Sequence, residues 1–536
     1  MEAGPSAAFQ LSSIVIVARL SQSHTDNAMS NNVSANAACV STEALVRGQA
    51  DMLASHLALI SGSEIVISPA DSEAFAELSG DFNPLHVDPI VARRLVFGST
   101  VPHGIHIILR ALDATLAKAE RRLRLGALRV AISGPARHDE PLIVTSEQPG
   151  RDLEISVERD GERLQRIVAT LLECDTETDI AVPSTIDWRR EPLKLQFADA
   201  SELSGAVPLA LDEGRFRTLF PALSKLLPGS QMAAVLATTR IVGMECPGLR
   251  SIFVNLALKF ESPPADAPAA LAFHTLRTDP RMSLVLLGLE GAGAKGELTA
   301  LFRPDPVSQP SAATIARQVQ SGEFAGQRAL VIGGSRGLGE TTAKLVSMGG
   351  GEVAITFARG RDDAEAVAQD IVSAGGRCSV LFFDITDLPE TLAGAVLPPD
   401  FRPSHIYFFA TPSIQLMRGR GFNESKFAAY CDFYVKGLLR MMAAAERLFA
   451  LNESPLTLIY PSTAFINDVP AGAAEYAAAK AAGEVVCRAL ARSRLGLRVA
   501  CPRLPMLKTD QTSSLRASNN TAEAAPVLLE VLREFR

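Results

Sequence analysis

The sequence predicts two folds in series. An α+β part, in which single helices are wrapped by antiparallel strands, precedes an α/β part with a doubly wound parallel sheet. Three observations predict this. Ile105–Leu116 is a mostly apolar run, and the strand-like runs after it include one joined to the next by Asp160-Gly161, a hairpin turn signal. The same order of one helix and four strands recurs between residues 193 and 305. From Arg328 onward strands and helices alternate, and the first of those strands runs into Gly-Gly-Ser-Arg-Gly-Leu-Gly, 333–339.

Composition sets the outer bounds. A chain of 536 residues is too long for a single core. A net charge of −7 gives no reason to expect nucleic acid or an anionic membrane as partner. The seven cysteines are odd in number, scattered and without a Cys-x-x-Cys pair. That usage predicts reduced thiols in a cytoplasmic protein, with neither a disulfide framework nor a structural zinc. Leu11–Leu20 is apolar but too short to span a bilayer, and nothing basic precedes it. Ser21–Cys39, rich in Ser, Asn and Ala, is expected to be disordered, so residues 1–63 read as an extension. Translation from Met29 is one expectation for this segment, which the intact mass of the native protein tests.

The first folded part is expected over 64–176. Glu64–Ser68 alternates like a strand and Ala70–Leu78 looks helical. The central helix is followed by strands at Ala127–Ser133, Leu142–Glu147, Leu153–Arg159 and Gln165–Glu173. A polar, proline-bearing connector, Asp175–Pro192, leads to a second part at 193–305, with helix Gln231–Val242, a Pro247-Gly248 turn and four strands ending at Phe302. Residues 306–325 read as a linker, and 326–536 as the α/β part.

The chemistry concentrates in Phe75–His106. Asp81 and His86 stand five residues apart with Asn83 and Pro84 between them, and His103-Gly104 opens the apolar helix. An acid and a base sharing one water, beside amides at a helix N-terminus, suit addition or removal of water next to a carbonyl. Phe75, Ser79, Gly80, Asp81, Asn83, Pro84, His86, Asp88, Ala92, Phe97-Gly98 and His103-Gly104 together resemble the signature of the MaoC-like, R-specific enoyl-CoA hydratases. The resemblance implies a hotdog fold and reversible hydration of trans-2-enoyl thioesters. It makes Asp81 and His86 the catalytic pair, with Ser79, Asn83 and Gly104 in support. The second part, 193–305, lacks the Asp-x-Asn-Pro-x-His pattern and is expected to be a non-catalytic hotdog that completes the acyl tunnel. The family's hotdogs pair, so the two parts together would form a double hotdog, and a homodimer is a further assembly to consider.

In the α/β part, glycines permit the tight turn and close approach of a pyrophosphate to the helix N-terminus. The spacing Gly333-x-x-x-Gly337-x-Gly339, followed by Tyr476-Ala-Ala-Ala-Lys480, resembles the short-chain dehydrogenase/reductases. By that resemblance the doubly wound sheet is of Rossmann type, and Gly333, Ser335, Arg336, Gly337, Leu338 and Gly339 hold the dinucleotide while Asp384 meets the adenine. Ser462, Tyr476 and Lys480 form the catalytic triad, and Lys480 also holds the ribose. Thr463, thirteen residues before Tyr476, is the alternative hydroxyl. An NAD enzyme usually carries an acid after the second strand, but here Phe357-Ala358-Arg359 follows it and Arg336 sits in the glycine loop. Two guanidinium groups would match a 2′-phosphate, so NADP(H) is expected. The chain departs from the family at Phe409-Ala410-Thr411-Pro412 (for Asn-Asn-Ala-Gly), at Tyr434 (for the catalytic Asn) and at Pro502-Arg503 (for Pro-Gly).

Taken together, these resemblances imply reduction of a 3-oxoacyl thioester and dehydration of the 3-hydroxyacyl product to trans-2-enoyl, as in fatty-acid-like or polyketide-like synthesis. Hydration followed by oxidation, as in β-oxidation, is the alternative enzyme reading. A hydratase whose last domain only binds nucleotide is the alternative from another class. The thioester carrier, CoA or acyl carrier protein, stays open.

Overall fold

The structure, a computed structural model, describes residues 62–174, 180–262, 267–387, 401–414, 421–449, 455–512 and 521–536. The expectations for Leu11–Leu20, Ser21–Cys39 and Met29 lie outside the described residues. The described residues form two compact units: 62–93 with Ser99–Asp305, and Arg94–Gly98 with Pro306–Arg536.

The first unit is built on one ten-stranded antiparallel sheet. Its strands are β1 (Ser63–Ile65), β2 (Leu123–Ile132), β3 (Leu142–Glu147), β4 (Asp152–Arg159), β5 (Glu162–Glu173), β6 (Ser204–Pro208), β7 (Ser251–Phe260), β8 (Ala270–Asp279), β9 (Leu284–Gly291) and β10 (Ala294–Phe302). They lie in the order β1-β3-β4-β5-β2-β7-β10-β9-β8-β6. Each half therefore repeats one pattern: a short outer strand, then the second, third, fourth and first strands of a meander. The halves join where β2 pairs β7 over Ala127–Ala131, so neither inner strand is left as an open edge.

Three helices matter to the site: α1 (Pro69–Ser79), α2 (Gly104–Leu116) and α3 (Gly229–Arg240). Ser68 and Asp71 close a reciprocal capping box at the start of α1, and Gly80 ends it at φ 71°. α2 buries ten of its thirteen residues, among them Ile105, Ile108, Leu109 and Leu112, against the strands. α3 is apolar and threonine-rich and passes directly into one π-helical turn, Ile241–Glu245. Such turns widen the backbone and are frequent at functional sites.

The second unit is an α/β fold. Strands β11 (Arg328–Ile332), β12 (Glu352–Phe357), β13 (Arg377–Phe382), β14 (His405–Phe408) and β15 (Leu456–Ile459) precede the two-residue β16 (Ser462–Thr463), then β17 (Leu497–Ala500) and β18 (Arg503–Leu504). The main sheet runs β13-β12-β11-β14-β15-β17, all parallel, and β16 pairs β18 apart from it. Strand order reverses between β11 and β14, where doubly wound sheets open a ligand crevice. Its longer helices are α4 (Gly337–Met348), α5 (Arg361–Ser373), α6 (Leu438–Phe449), α7 (Ala474–Ser493) and α8 (Ala524–Glu534).

The stretch read as a linker, 306–325, is more than a tether. Ala312, Ile315, Val319 and Phe324 are buried in the core beside α4 and β11. Lys344 of α4, itself buried, donates to the Pro310 carbonyl at 3.0 Å and pairs with Glu340 at 2.7 Å and Asp370 at 2.9 Å. Proline and serine content read as looseness, but the apolar residues between them are spaced to reach the core. Phe324→Ala is therefore expected to destabilise this unit by about 3–5 kcal/mol, read by urea unfolding. A loss below about 1 kcal/mol would show that the segment is a passive tether.

Candidate functional site

In the first unit the overhang between α1 and α2 brings Asp81 and His86 together. Gly80, at φ 71°, turns the chain out of α1, and a β-carbon there would meet Trp188 at 2.7 Å. Asn83 then caps the single helical turn Pro84–Val87, its Oδ1 accepting from the Leu85 amide at 3.1 Å, and this turn carries His86 back over Asp81.

Asp81 is 1% exposed. Its Oδ1 accepts from the Asn83 amide at 3.1 Å and its Oδ2 from the Thr239 hydroxyl at 2.7 Å, while its own amide donates to Ser79 Oγ at 3.3 Å. The π-turn presses on it too, because a β-carbon on Gly243 would stand 2.0 Å from Oδ1. Burial pushes the Asp81 carboxyl up; His86, the Thr239 hydroxyl, the Asn83 amide and Arg240 pull it back. Asn83 Nδ2 donates toward Gly248 O at 2.9 Å and Gly243 O at 3.1 Å, which locks the overhang to the second half. Arg240 Nη1 donates to Gly80 O at 2.5 Å, and its guanidinium lies 4.3 Å over the Trp188 ring.

His86 places Nδ1 2.8 Å from the Val101 carbonyl, so Nδ1 carries the proton and Nε2 keeps its lone pair. Burial lowers its pKa, which keeps the ring a neutral base. His103, fully buried, sets Nε2 3.0 Å from the Asp81 carbonyl and stacks on His86 with ring centroids 3.8 Å apart. Burial drives the His103 pKa well below the ordinary value, so this pair is not a repelling pair of cations. Asp81, His86 and His103 offer donor atoms within 4.8 Å of one another, a span that one water can bridge. As a metal site the trio fits poorly: a metal lies in the plane of each imidazole that binds it, and these two rings are stacked at 26°. Gly104 begins α2, whose first turn has no capping side chain, so its amides are available to a developing oxyanion. A side chain at Gly104 would meet Ile132 Cδ1 at 2.5 Å.

In the second unit, Gly333 turns at φ 80° and donates to Thr356 Oγ1 at 3.0 Å. A β-carbon on Gly339 would fall 2.2 Å from the Gly333 carbonyl. Only glycines allow α4 to start this close to β11, and α4 too has no capping side chain. Ser335 is buried in this loop, with Leu338 beside it packing on the core. Arg336 does not point into open solvent; its Nη1 pairs with the buried Asp510 at 2.5 Å. Arg359 is exposed in the turn after β12, and Asp384 accepts from Thr386 Oγ1 at 2.6 Å.

Tyr476 and Lys480 share a face of α7. Ser462 is not brought to Tyr476: its hydroxyl donates to Glu484 Oε1 at 2.7 Å. Arg503, from the Pro-Arg departure, clamps both oxygens of the same carboxylate at 2.8 Å. Thr463 is the hydroxyl hydrogen-bonded to Tyr476. Lys480, buried, donates to the Pro461 carbonyl at 2.7 Å and lies 4.1 Å over the Tyr434 ring. Burial lowers its pKa to about 7 and pushes the Tyr476 phenol up. Tyr434 is fully buried in a π-helical turn, Asp432–Gly437, and its hydroxyl meets Thr411 Oγ1 at 2.5 Å.

Residues 59–159 match the family model described as MaoC like domain, and 327–396 match that described as short chain dehydrogenase. The chain thus carries a MaoC-like dehydratase domain and a short-chain dehydrogenase domain. The second match ends before Tyr476. A fatty acid synthase beta subunit of Emericella nidulans is 40% identical over 57 residues, covering 10% of this chain and 3% of that subunit, so the chain spans a small fraction of this relative. Similar solved structures include a short-chain dehydrogenase/reductase from Serratia marcescens (22% identity, 40% of this chain, 91% of that one, TM-score 0.35). A short-chain dehydrogenase from Burkholderia cenocepacia, in complex with NADP, is 24% identical over 39% of this chain and 90% of its own, with TM-score 0.32. Among the described residues no helix is long and apolar enough to cross a membrane.

Sequence reasoning missed Thr239, Gly243, Glu484 and Asp510. Thr239, Gly243 and Asp510 act across long separations (158 residues between Asp81 and Thr239), Glu484 reaches Ser462 across 22, and no local pattern marks any of them. Lys480 yields a prediction. An unfolded lysine titrates near about 10.4, and this one near about 7 when folded. Between those values the unfolded chain holds a proton that the folded chain does not, so stability rises with pH from about 7 to about 10. Lys480→Met should remove that rise in urea unfolding of the second unit. An equally steep rise in the variant would place its origin elsewhere.

Proposed function

We propose that the protein is a bifunctional acyl-thioester enzyme. Its dehydrogenase part reduces a 3-oxoacyl thioester to 3-hydroxyacyl with NADPH, and its MaoC-like part reversibly removes water to give the trans-2-enoyl thioester, in fatty-acid-like or polyketide-like synthesis. The observation that carries this reading is the Asp81–His86 pair, a buried carboxyl group and an imidazole facing one water-sized span at an uncapped helix N-terminus. In hydration the pair would orient one water, accept its proton as oxygen attacks C3, and return a proton at C2. The Gly104 amide would take the enolate-like oxygen of the thioester. Dehydration runs the same steps in reverse.

Support for the fold in detail comes from the repeated strand order: we read residues 64–176 and 193–305 as two hotdogs, the first catalytic. Residues 326–536 are the reductase domain in this reading. The carrier is CoA or acyl carrier protein, and a homodimer is compatible with the unit.

The glycine loop fits a dinucleotide, since the uncapped first turn of α4 offers amides to a pyrophosphate. Gly333, Ser335, Gly337, Leu338 and Gly339 would line it. Arg359 is the arginine suited to a 2′-phosphate, and Arg336 would have to exchange Asp510 for that phosphate. Asp384 would meet the adenine and Lys480 the ribose. NADPH, when bound, supplies the hydride. Tyr476 would then protonate the carbonyl oxygen, with Thr463 in the orienting role that the sequence pattern gave to Ser462.

One observation favours a second reading, nucleotide binding without reduction. Tyr434 fills the place of the family's Asn and lies against Lys480, where a water relay would otherwise run.

Acetoacetyl-CoA with NADPH and, separately, crotonyl-CoA with water test both halves. Tyr476→Phe should lower NADPH oxidation, and Asp81→Asn crotonyl-CoA hydration, by about 10²–10⁴-fold each; Thr463→Ala should cost more than Ser462→Ala. No oxidation, with hydration intact and NADPH bound, would leave the nucleotide-binding reading. Hydration indifferent to Asp81 would sink the dehydratase, and NADH serving as well as NADPH would overturn the cofactor preference.

A further inference from the structure

We propose that Thr239, on a helix of the half that carries no catalytic pattern, is a positioning residue for the hydration site, its hydroxyl holding the Asp81 carboxylate in place from the other half. This rests on the dehydratase reading above and assigns to the second half a direct part in the chemistry of the first.

The geometry is specific. Asp81 lies in an interior where water cannot solvate it, at 1% exposure, so its charge depends on donors supplied by the protein. It has one from its own overhang, the Asn83 amide at 3.1 Å, and one from α3, the Thr239 hydroxyl at 2.7 Å. The shorter bond comes from the other half. Thr239 is 3% exposed and stands at the end of α3, just where the helix widens into the π-turn that sets Gly243 against Asp81 Oδ1. Thr239 therefore fixes Oδ2 and Gly243 makes room for Oδ1. The neighbouring Thr238 spends its hydroxyl on the Val235 carbonyl at 2.7 Å, so two adjacent threonines of one helix do different jobs.

The charged and titratable groups around Asp81 are His86 from the overhang, His103 at the start of α2, with Nε2 3.9 Å from Oδ2, and Arg240 beside Thr239. His103 is held neutral by burial, and Arg240 spends its Nη1 on the Gly80 carbonyl. Neither is hydrogen-bonded to the carboxylate. Removal of the Thr239 hydroxyl leaves the Asn83 amide as the remaining donor among the described bonds and raises the pH at which Asp81 ionises.

Two measurements test this on the full-length protein. In Thr239→Val, which keeps the shape and removes the hydroxyl, the acid limb of kcat/KM for crotonyl-CoA hydration should move up by about one pH unit. KM should stay within about twofold, and Thr239→Ser should return the limb to the wild-type position. Independently of turnover, the melting-temperature gap between Thr239→Val and wild type should widen from about pH 5 to about pH 8, because the ionised carboxylate is what loses its donor. The same acid limb in both proteins, or a melting gap that does not change with pH, would overturn the proposal. A wild-type protein that hydrates no enoyl thioester would refute the dehydratase reading instead, and the melting gap would still decide whether the hydroxyl holds the carboxylate.

Discussion

A carboxylate can be charged inside a protein only where donors replace the water it has lost, and Asp81 is a buried carboxyl group given two such donors, the Asn83 amide and the Thr239 hydroxyl. Around it the first unit is arranged as a set of consequences. Gly80 turns sharply to present it, Asn83 ties its loop to the carbonyls of Gly243 and Gly248, and Arg240 holds the Gly80 carbonyl while stacking on Trp188. All of those partners except Gly80 and Asn83 come from the connector or the second half. The two halves share one sheet through β2 and β7, and this continuity gives the long-range contacts a fixed frame.

The second unit solves a different problem with the same tools. Its sheet order places the glycine loop at the point where winding reverses, and tight backbone contact at Gly333 and Gly339 sets α4 against β11. Around α7 the polar groups divide into two sets. Ser462, Glu484 and Arg503 make a closed, charge-compensated triad, whereas Thr463, Tyr476, Lys480 and Tyr434 form a buried aromatic and cationic cluster. The departure from glycine at Arg503 and the recruitment of Ser462 belong together, because the guanidinium fills the carboxylate that the serine also bonds. Thr463 is left to serve Tyr476.

Much of this was legible in the amino-acid order. The start of the helix at Gly104–Leu116 (expected to run on to Arg122), the Asp160-Gly161 turn, the strand at Leu142–Glu147 and the glycine loop all follow from periodicity and turn chemistry over short windows. The pairing of Asp81 with His86 was legible too, since a single turn started by Asn83-Pro84 spans the gap between them. The linker was misjudged in weight because its four core residues, Ala312, Ile315, Val319 and Phe324, are spread thinly among Pro, Ser, Gln and Gly. β6 was passed over for a related reason: Ser204–Pro208 is largely exposed and looks like loop until its partner β8 is known.

The sequence by itself determined the local elements, the order of two repeated halves and one doubly wound sheet, and the residue types able to do acid–base and dinucleotide chemistry, because those depend on neighbours within a few positions. Only the tertiary structure decided which hydroxyl meets which acid. Thr239 rather than a residue of the overhang reaches Asp81 Oδ2, Glu484 takes Ser462, and Asp510 takes Arg336. Hydrogen bonds act over about 3 Å, and segments separated by 22 residues, as Ser462 and Glu484 are, or by more than a hundred, as the other two pairs are, arrive at that distance only once the sheets have closed.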